Sequence, residues 1–486
     1  MIKNMLDRQQ QPRRAQSTAV FFLAILIVIG LITQWLDISI ITGSLQKKFG
    51  FQDSSYIYSE EFDCYLNCSN IPSPVKNDNV ESSSALACPD YFKWIHEDLR
   101  PWKETGISKK MVEEAKKVAH IRIVVVNGRL YTLRYKKVFQ TRDIVTIWGI
   151  LQLLRLYPGR LPDLDLMLEC GDRPVIKKRD YGGLEASMPP PLFHYSGDES
   201  SYDIVFPDWS FWGWPELNIK PWEVLKQEIH EGNARIKWKD REPYAYWKGN
   251  TRVGAARRDL AKCNASDQDD WKARIFGMDW NEEKKQGFKS SDVANQCTYR
   301  YKIYVEGVSW SVSQKYILAC DSMALIIKPQ FYDFFTRSLL PSIHYWPINT
   351  NNKCESIKFA VEWGNNYTDK AQEIGRAGSN FVLENLVMDY VYDYSFHLLN
   401  EYAKLLKYKP TVPEGAEETC SEALVCSVRG QKKRYRIHSM VKSMSDSPPC
   451  NMPPSFEPED VSVFLERKAN LTNQVILWER NEIHGN

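Results

Sequence analysis

Residues 141–174 read TRDIVTIWGILQLLRLYPGRLPDLDLMLECGDRP, and the fold class turns on this stretch. Ile144, Val145, Trp148, Leu151 and Leu154 recur at helical spacing; Thr141 stands where a cap belongs, and Pro158-Gly159 stops the helix. Residues 164–170, LDLMLEC, form a short apolar run of the kind that makes a buried strand. Helix, loop and buried strand in that order point to an α/β fold. Upstream, residues 121–135 read IRIVVVNGRLYTLRY, two apolar runs around Asn127-Gly128, the signal for a hairpin with a type I′ turn. Downstream, residues 202–206 read as a strand, and Pro221 starts a helix that runs to 229.

A second block begins near Tyr244. The pattern predicts strands at 302–305 and 324–327 with a helix at 311–319 between them. Helices at 354–363 and 371–406 follow, the second interrupted near Gly375 and Gly378. Beyond Pro410 the chain holds three cysteines and the basic run QKKR at 431–434, and reads as an irregular appendage. Two α/β blocks of similar size, joined near 235–243, predict two facing Rossmann-like domains, 88–240 and 241–408, with a tail at 409–486. In such sheets ligands bind beyond the carboxyl ends of the strands.

Composition bounds the rest. A chain of 486 residues is too long for one ordinary core. Hydrophobic residues at 43% and charged residues at 26% are globular values. With 63 Lys+Arg against 61 Asp+Glu, the strongly basic footprint of a nucleic-acid binder is missing. Aromatics reach 13%, which suits either stacking on sugars or aromatic-rich cores.

Residues 19–32, AVFFLAILIVIGLI, are unbroken apolar sequence, and with Thr33 to Leu36 they reach the length that spans a bilayer. Lys3, Arg8, Arg13 and Arg14 precede the run, which places the N-terminus on the cytosolic side. The expected order is a cytosolic tail (1–18), a type II signal-anchor (19–36) and a stem rich in Ser, Asn, Asp and Pro (37–87). A cleaved signal peptide is the competing reading; its one weak cleavage site is Thr42-Gly43-Ser44. Four sequons suit a lumenal chain: Asn67, Asn264, Asn366 and Asn470. Eleven cysteines lack CxxC spacing and histidines at zinc-finger distance, so disulfides in an oxidising compartment explain them better than a metal, with at least one thiol left over.

Three stretches carry candidate chemistry. Residues 161–174 end a strand in Gly-Asp-Arg-Pro, a turn able to present Asp172 to a cleft. Residues 246–252, YWKGNTR, followed by Arg257-Arg258-Asp259, set small polar groups and arginines at a strand end, which suits a phosphate. Residues 304–316, YVEGVSWSVSQKY, run from a strand through a glycine turn to a helix start, where backbone N–H groups favour an anion. The string Asp163-Leu164-Asp165 has the form of a metal-binding Asp-x-Asp but reads as structural. The cluster Trp209, Phe211, Trp212 and Trp214 reads equally as a sugar platform or as core.

Together these stretches resemble glycosyltransferase family 90, the Rumi-type protein O-glucosyltransferases and fungal capsule-associated xylosyltransferases. The resemblance runs over roughly 88–408 and extends to DIVFPDWSFW (203–212), QCTYRYK (296–302) and EIGRAGS (373–379). It implies a GT-B fold, an inverting mechanism and a UDP-sugar donor, UDP-glucose or UDP-xylose, used without metal or other cofactor. By resemblance Asp172 is the catalytic base. Asn250 and Arg258 match donor-binding positions, and Val308, Ser309, Trp310, Ser311, Val312 and Ser313 match the turn that holds UDP. The resemblance also pairs Cys297 with Cys320.

The departures bear on specificity and compartment. Animal members have Arg where this chain has Ser313, and Lys315 is the candidate replacement charge. They end in an ER-retention tetrapeptide, whereas this chain ends Ile-His-Gly-Asn. The expectation is therefore a Golgi membrane enzyme, with the ER membrane as alternative, whose acceptor is a protein or a polysaccharide. A catalytically silent sugar-binding or scaffold protein on the same fold is the competing function.

Overall fold

The computed structural model describes Cys68 and residues 86–182 and 187–484. The cytosolic tail, the signal-anchor, Asn67 and most of the stem lie outside the described residues. Among the described residues, no helix is long and apolar enough to cross a membrane.

The first half of the chain carries β1 (Ile121–Val126), β2 (Arg129–Arg134), β3 (Leu164–Leu168), β4 (Phe193–His194) and β5 (Ile204–Val205). The second carries β6 (Glu242–Gly249), β7 (Ala273–Gly277), β8 (Tyr299–Tyr304), β9 (Met323–Ile327) and β10 (Trp346–Ile348). A last strand, β11 (Glu417–Thr419), comes from the tail.

The first sheet has the order β11-β2-β1-β3-β4-β5 and is mixed. β1 is antiparallel to both β2 and β3, while β3, β4 and β5 run parallel. An all-parallel Rossmann sheet is thus not what forms here. Asn127 (φ 51°) and Gly128 (φ 73°) fold β2 straight back on β1, and a two-residue turn leaves no room for the crossover a parallel pair needs.

The second sheet is entirely parallel, in the order β10-β9-β8-β6-β7. Numbered within the half, this is the doubly wound order 2-1-3-4-5, and its direction reverses between β6 and β8. A crevice for ligands opens beyond the strand ends at such a reversal. Its core is built on Trp247, Tyr301, Ile303, Leu325, Trp346 and Ile357.

Three elements differ from the sequence pattern. The helix Thr368–Asn385 runs unbroken through Gly375 and Gly378. These glycines serve close packing: a Cβ on Gly375 would lie 2.9 Å from the backbone at Ser322–Met323, and one on Gly378 would run into the His344 carbonyl. The break falls instead at Leu386–Val387, and the helix Met388–Leu405 then returns to the first sheet, where Tyr402 Oη donates to the Asp165 carbonyl at 2.9 Å. Thr141 precedes the helix Arg142–Leu156 but makes no side-chain cap, because its Oγ1 donates to the Glu216 carboxylate at 3.1 Å.

The tail is the third difference, for it is an integral part of both halves. β11 extends the first sheet beside β2. The helix Gly430–His438 docks through buried Tyr435 and Arg436. The helix Asp460–His484 sends Val475 into the core of the second sheet, and Glu479 accepts from Ser356 Oγ at 2.9 Å. Cys420 and Cys450 bond to Cys68 and Cys88.

Cys263–Cys354 and Cys297–Cys320 are bonded within the second half, Cys426 is disulfide-bonded as well, and Cys170 is a buried free thiol. Cys297–Cys320 spans 23 residues, so replacing both by Ser should cost about 3 kcal/mol in denaturant unfolding. A non-reduced digest showing both as free thiols would refute the bond. Asn264, Asn366 and Asn470 are exposed. The Asn264 carbonyl accepts from Ile275 N at 2.8 Å, whereas a glycan attaches through the amide nitrogen. Expression in a secretory host should therefore give glycan mass at all three, removable by a glycosidase; bare peptides there would count against lumenal placement.

Candidate active site

The two turns singled out in the second half meet at the reversal between β6 and β8. β6 ends at Gly249, and Asn250 Oδ1 accepts from Arg252 N at 2.9 Å, which fixes the following turn. Gly254 sits at φ 79°, and any Cβ there would strike the Gly307 carbonyl, so the turns after β6 and β8 are in van der Waals contact. In the second turn Gly307 N donates to the Ser309 carbonyl at 3.0 Å, and Ser311 N donates to Tyr304 Oη at 3.1 Å. Ser311 and Ser313 hydroxyls lie 2.9 Å apart. Glu306 steadies the base of the turn by accepting from Gln330 N and Phe331 N at 3.0 and 2.8 Å.

Val308 is exposed, and its carbonyl accepts from Arg173 Nε at 3.1 Å. Ser309 is buried, with its hydroxyl 3.4 Å from that of Ser196. Trp310 packs its ring at 6.1 Å from both Tyr195 and Trp209. The turn of residues 307–313 is therefore pressed against the first half of the chain beside the residue that follows Asp172. Val312 and Ser313 lie at the start of the helix Ser313–Leu318.

Asp172 sits just past the end of β3 with its side chain 45% exposed, so it is open to a substrate. Its Oδ1 accepts from Arg142 Nη1 at 3.0 Å. Arg142 is buried; it also donates to the Cys170 carbonyl at 3.2 Å and lies 4.3 Å over the Trp209 ring. The turn before Asp172 is set by Glu169, whose carboxylate accepts from Gly171 N at 2.8 Å and lies 3.0 Å from His194 Nε2 and 3.1 Å from His120 Nδ1. Burial alone would raise the Glu169 carboxyl, but hydrogen bonds from the two histidines hold it down to about 2. A carboxylate so fixed stays charged at any working pH and holds the Gly-Asp turn in one shape.

Two predicted site residues are placed elsewhere. Arg258 points outward and donates to the Arg252 carbonyl at 3.2 Å; its neighbour Arg257 reaches the turn, with Nη2 3.3 Å from Ser311 Oγ. Adjacent helical residues point about 100° apart, so only one of the pair can face the crevice. Lys315 does not offer its ammonium to a donor. It is buried and donates to Ser210 Oγ at 2.6 Å, with Asp208 at 3.5 Å and the Phe211 ring at 4.4 Å. It acts as a brace between the helix Ser313–Leu318 and the segment 208–212. Arg142, Glu169 and Arg257 were not separable from ordinary surface charge in the sequence, since only the folded chain sets them around the two turns.

The core reading holds for most of the aromatic cluster. Trp209, Phe211 and Trp212 are almost fully enclosed, and Trp212 Nε1 donates to Tyr392 Oη at 3.0 Å. The Asp-x-Asp string is committed as well. Asp163 accepts from Asn127 N at 2.7 Å, and Asp165 is buried in a two-point pair with Arg122 at 2.7 and 2.6 Å. Among the described residues one group of His, Cys or acid atoms lies close enough to hold an ion: Cys88, His397 and Cys450. Its two sulfurs are spent on each other in a disulfide.

Residues 83–479 match the family model described as Glycosyl transferase family 90. The chain is 28% identical over 360 residues to protein O-glucosyltransferase 1 of Bos taurus, covering 71% of this chain and 88% of that protein. The human protein of the same name gives the same identity and coverage. O-glucosyltransferase rumi of Drosophila melanogaster is 25% identical over 346 residues, covering 66% of this chain and 78% of its own length.

Proposed function

The chain belongs to glycosyltransferase family 90, and from that premise we propose that it is an inverting enzyme that moves glucose or xylose from a UDP-sugar to a hydroxyl of a protein or polysaccharide. The observation that carries this reading is the contact between the Asp172 turn and the 307–313 turn, sealed by Arg173 Nε on the Val308 carbonyl at 3.1 Å. It sets an open carboxylate beside the strand ends at which a doubly wound sheet takes a nucleotide. A GT-B arrangement belongs to the same proposal, and the two separate sheets, the first mixed and the second parallel, support it.

The chemistry follows from the residues. Asp172 takes the proton of the acceptor hydroxyl as that oxygen attacks the anomeric carbon. The bond from that carbon to the diphosphate breaks, and UDP leaves with the electron pair. Attack from the face opposite the leaving group inverts the anomeric centre. Charge gathers on the leaving diphosphate, and Arg257, with Asn250 at the rim, supplies the positive and polar groups that stabilise it. Burial lowers the Arg257 pKa from its ordinary value, yet the group stays cationic because it starts so far above neutral.

The compartment belongs to the same proposal: a single-pass type II protein of the Golgi membrane, or alternatively of the ER membrane, with the catalytic part in the lumen. The apolar run at 19–32, the exposed sequons and the disulfides support it.

The test is a donor screen of the purified protein, following UDP release with and without chelator. UDP-glucose or UDP-xylose should be turned over, and EDTA should leave the rate unchanged. Activity lost in EDTA and restored by manganese would overturn the metal-free reading, and release from no UDP-sugar would overturn the whole.

A further inference from the structure

Residues 423–445 hold six Lys and Arg, one His and no acid, in a chain whose whole net charge is +2. Three of these cations, Arg429 at the N-cap and Lys432 and Lys433 in the first turn, stand at the beginning of the helix Gly430–His438, and Arg434 follows at its middle. The beginning is the wrong end: the helix dipole puts partial positive charge there and favours acids. Like charges crowded at an unfavourable helix end break a local rule without a folding benefit, and such breaks mark function.

The bland reading, a solvated face, does not account for how firmly the helix is held. Tyr435 and Arg436 are buried beneath it, Tyr435 Oη donates to Asn218 Oδ1 at 3.0 Å, and Trp148 Nε1 donates to Ser439 Oγ at 2.9 Å. The backbone that carries the cations is therefore held in place. Among the described residues no acid pairs with Arg429, Lys433 or Arg434. Burial, and then the charges of Arg434, Lys220 and Lys442, keep the His438 imidazole below its ordinary range.

The patch adjoins the candidate base. Lys432 pairs with Glu216 at 3.2 Å, Glu216 accepts from Thr141, and the next residue, Arg142, holds Asp172. Beside them Phe139 is 64% exposed, with the Arg142 guanidinium 5.2 Å from its ring. Gln140 is kept in the left-handed region at φ 57° while its Oε1 accepts from Trp214 Nε1 at 2.6 Å. Strained backbone of this kind persists where surrounding structure enforces it and clusters at working sites.

We propose that Phe139 and the basic end of the helix Gly430–His438 form an acceptor-docking surface for an acidic polysaccharide. Its uronate carboxylates pair with Lys433, Arg434 and Arg429, and a sugar ring packs on Phe139. An exposed aromatic beside the base suits a sugar chain better than an acidic peptide. The proposal rests on the functional reading above and names its acceptor class.

The experiment uses the full-length protein in detergent, with a galacturonic acid hexamer and its methyl ester as probes, followed by calorimetry. The acid hexamer should bind at least about tenfold tighter than the ester, and should weaken by roughly tenfold or more on raising salt, since exposed charges are screened. Lys433→Glu with Arg434→Glu should weaken the acid hexamer by about tenfold or more and leave UDP affinity unchanged. Phe139→Ala should weaken both hexamers. Equal binding of acid and ester, or an unchanged double variant, overturns the proposal. So does patch-dependent binding to polyglutamate or to phosphatidylserine vesicles that exceeds binding to the hexamer. Failure to bind UDP would sink the functional reading itself; UDP binding without hexamer binding sinks only this one.

Discussion

Asp172→Asn is expected to lower the transfer rate by roughly 10²–10⁴-fold and to leave UDP affinity unchanged. The amide keeps the size of the side chain and its carbonyl can still accept from Arg142, but it cannot take a proton from the acceptor. The groups proposed to bind the donor lie on the other half of the chain, at Asn250, Arg257 and the 307–313 turn, so nucleotide binding has no reason to change. If Asp172 merely shaped its turn, the substitution would lower stability and affect binding and turnover together. Glu169 argues against that alternative, because it already holds the Gly171 amide. Calorimetry with UDP and the transfer rate on one preparation decide the matter. Unchanged turnover would remove Asp172 from the mechanism and favour a catalytically silent protein.

The second large effect concerns stability. Asp165→Ala should cost about 3–5 kcal/mol, since it strands a buried Arg122. Asp165 is 1% exposed, gives both oxygens to Arg122, and accepts from Tyr408 Oη at 2.9 Å. Glu113, 2.7 Å from Arg122, stays as a partial partner and keeps the loss from being larger. Denaturant unfolding measures the difference. A cost below about 1 kcal/mol, as for an exposed pair, would mean that Asp165 is available for other work and would reopen the metal reading of the Asp-x-Asp string.

What could be read in the sequence was local. Asn127-Gly128 dictates its own turn, and the hairpin stands where the pattern put it. The strands of the second sheet are short apolar runs between helices and stand out for the same reason. Long-range pairing left no such mark. Nothing in Glu417-Glu418-Thr419 announces a strand, because β11 exists only by pairing with β2, some 285 residues earlier. Gly375 and Gly378 misled because glycine signals both a break and a close approach, and only the neighbouring backbone at Ser322 and His344 tells which. The site was legible to the level of turns and not of side chains. Arg257 and Arg258 are chemically identical in sequence, and their roles separate only when the helix Ala255–Leu260 is set against Gly307. Lys315 reads in sequence as a replacement for the missing Arg, and only the fold brings it to Ser210 and Asp208, a hundred residues away.

The two-ended anchoring of the tail sets the order in which the protein can be made. β6 emerges from the ribosome more than two hundred residues before Val475, which completes the hydrophobic core packed on it. The first sheet likewise waits for β11, and Cys88 waits for Cys450. Neither core is complete until its late partner has been made, so the half-built cores must be sheltered while a long stretch of chain is synthesised. A premature stop between β11 and Val475 would then leave the strands of both sheets in the chain and the second core without the residue that completes it.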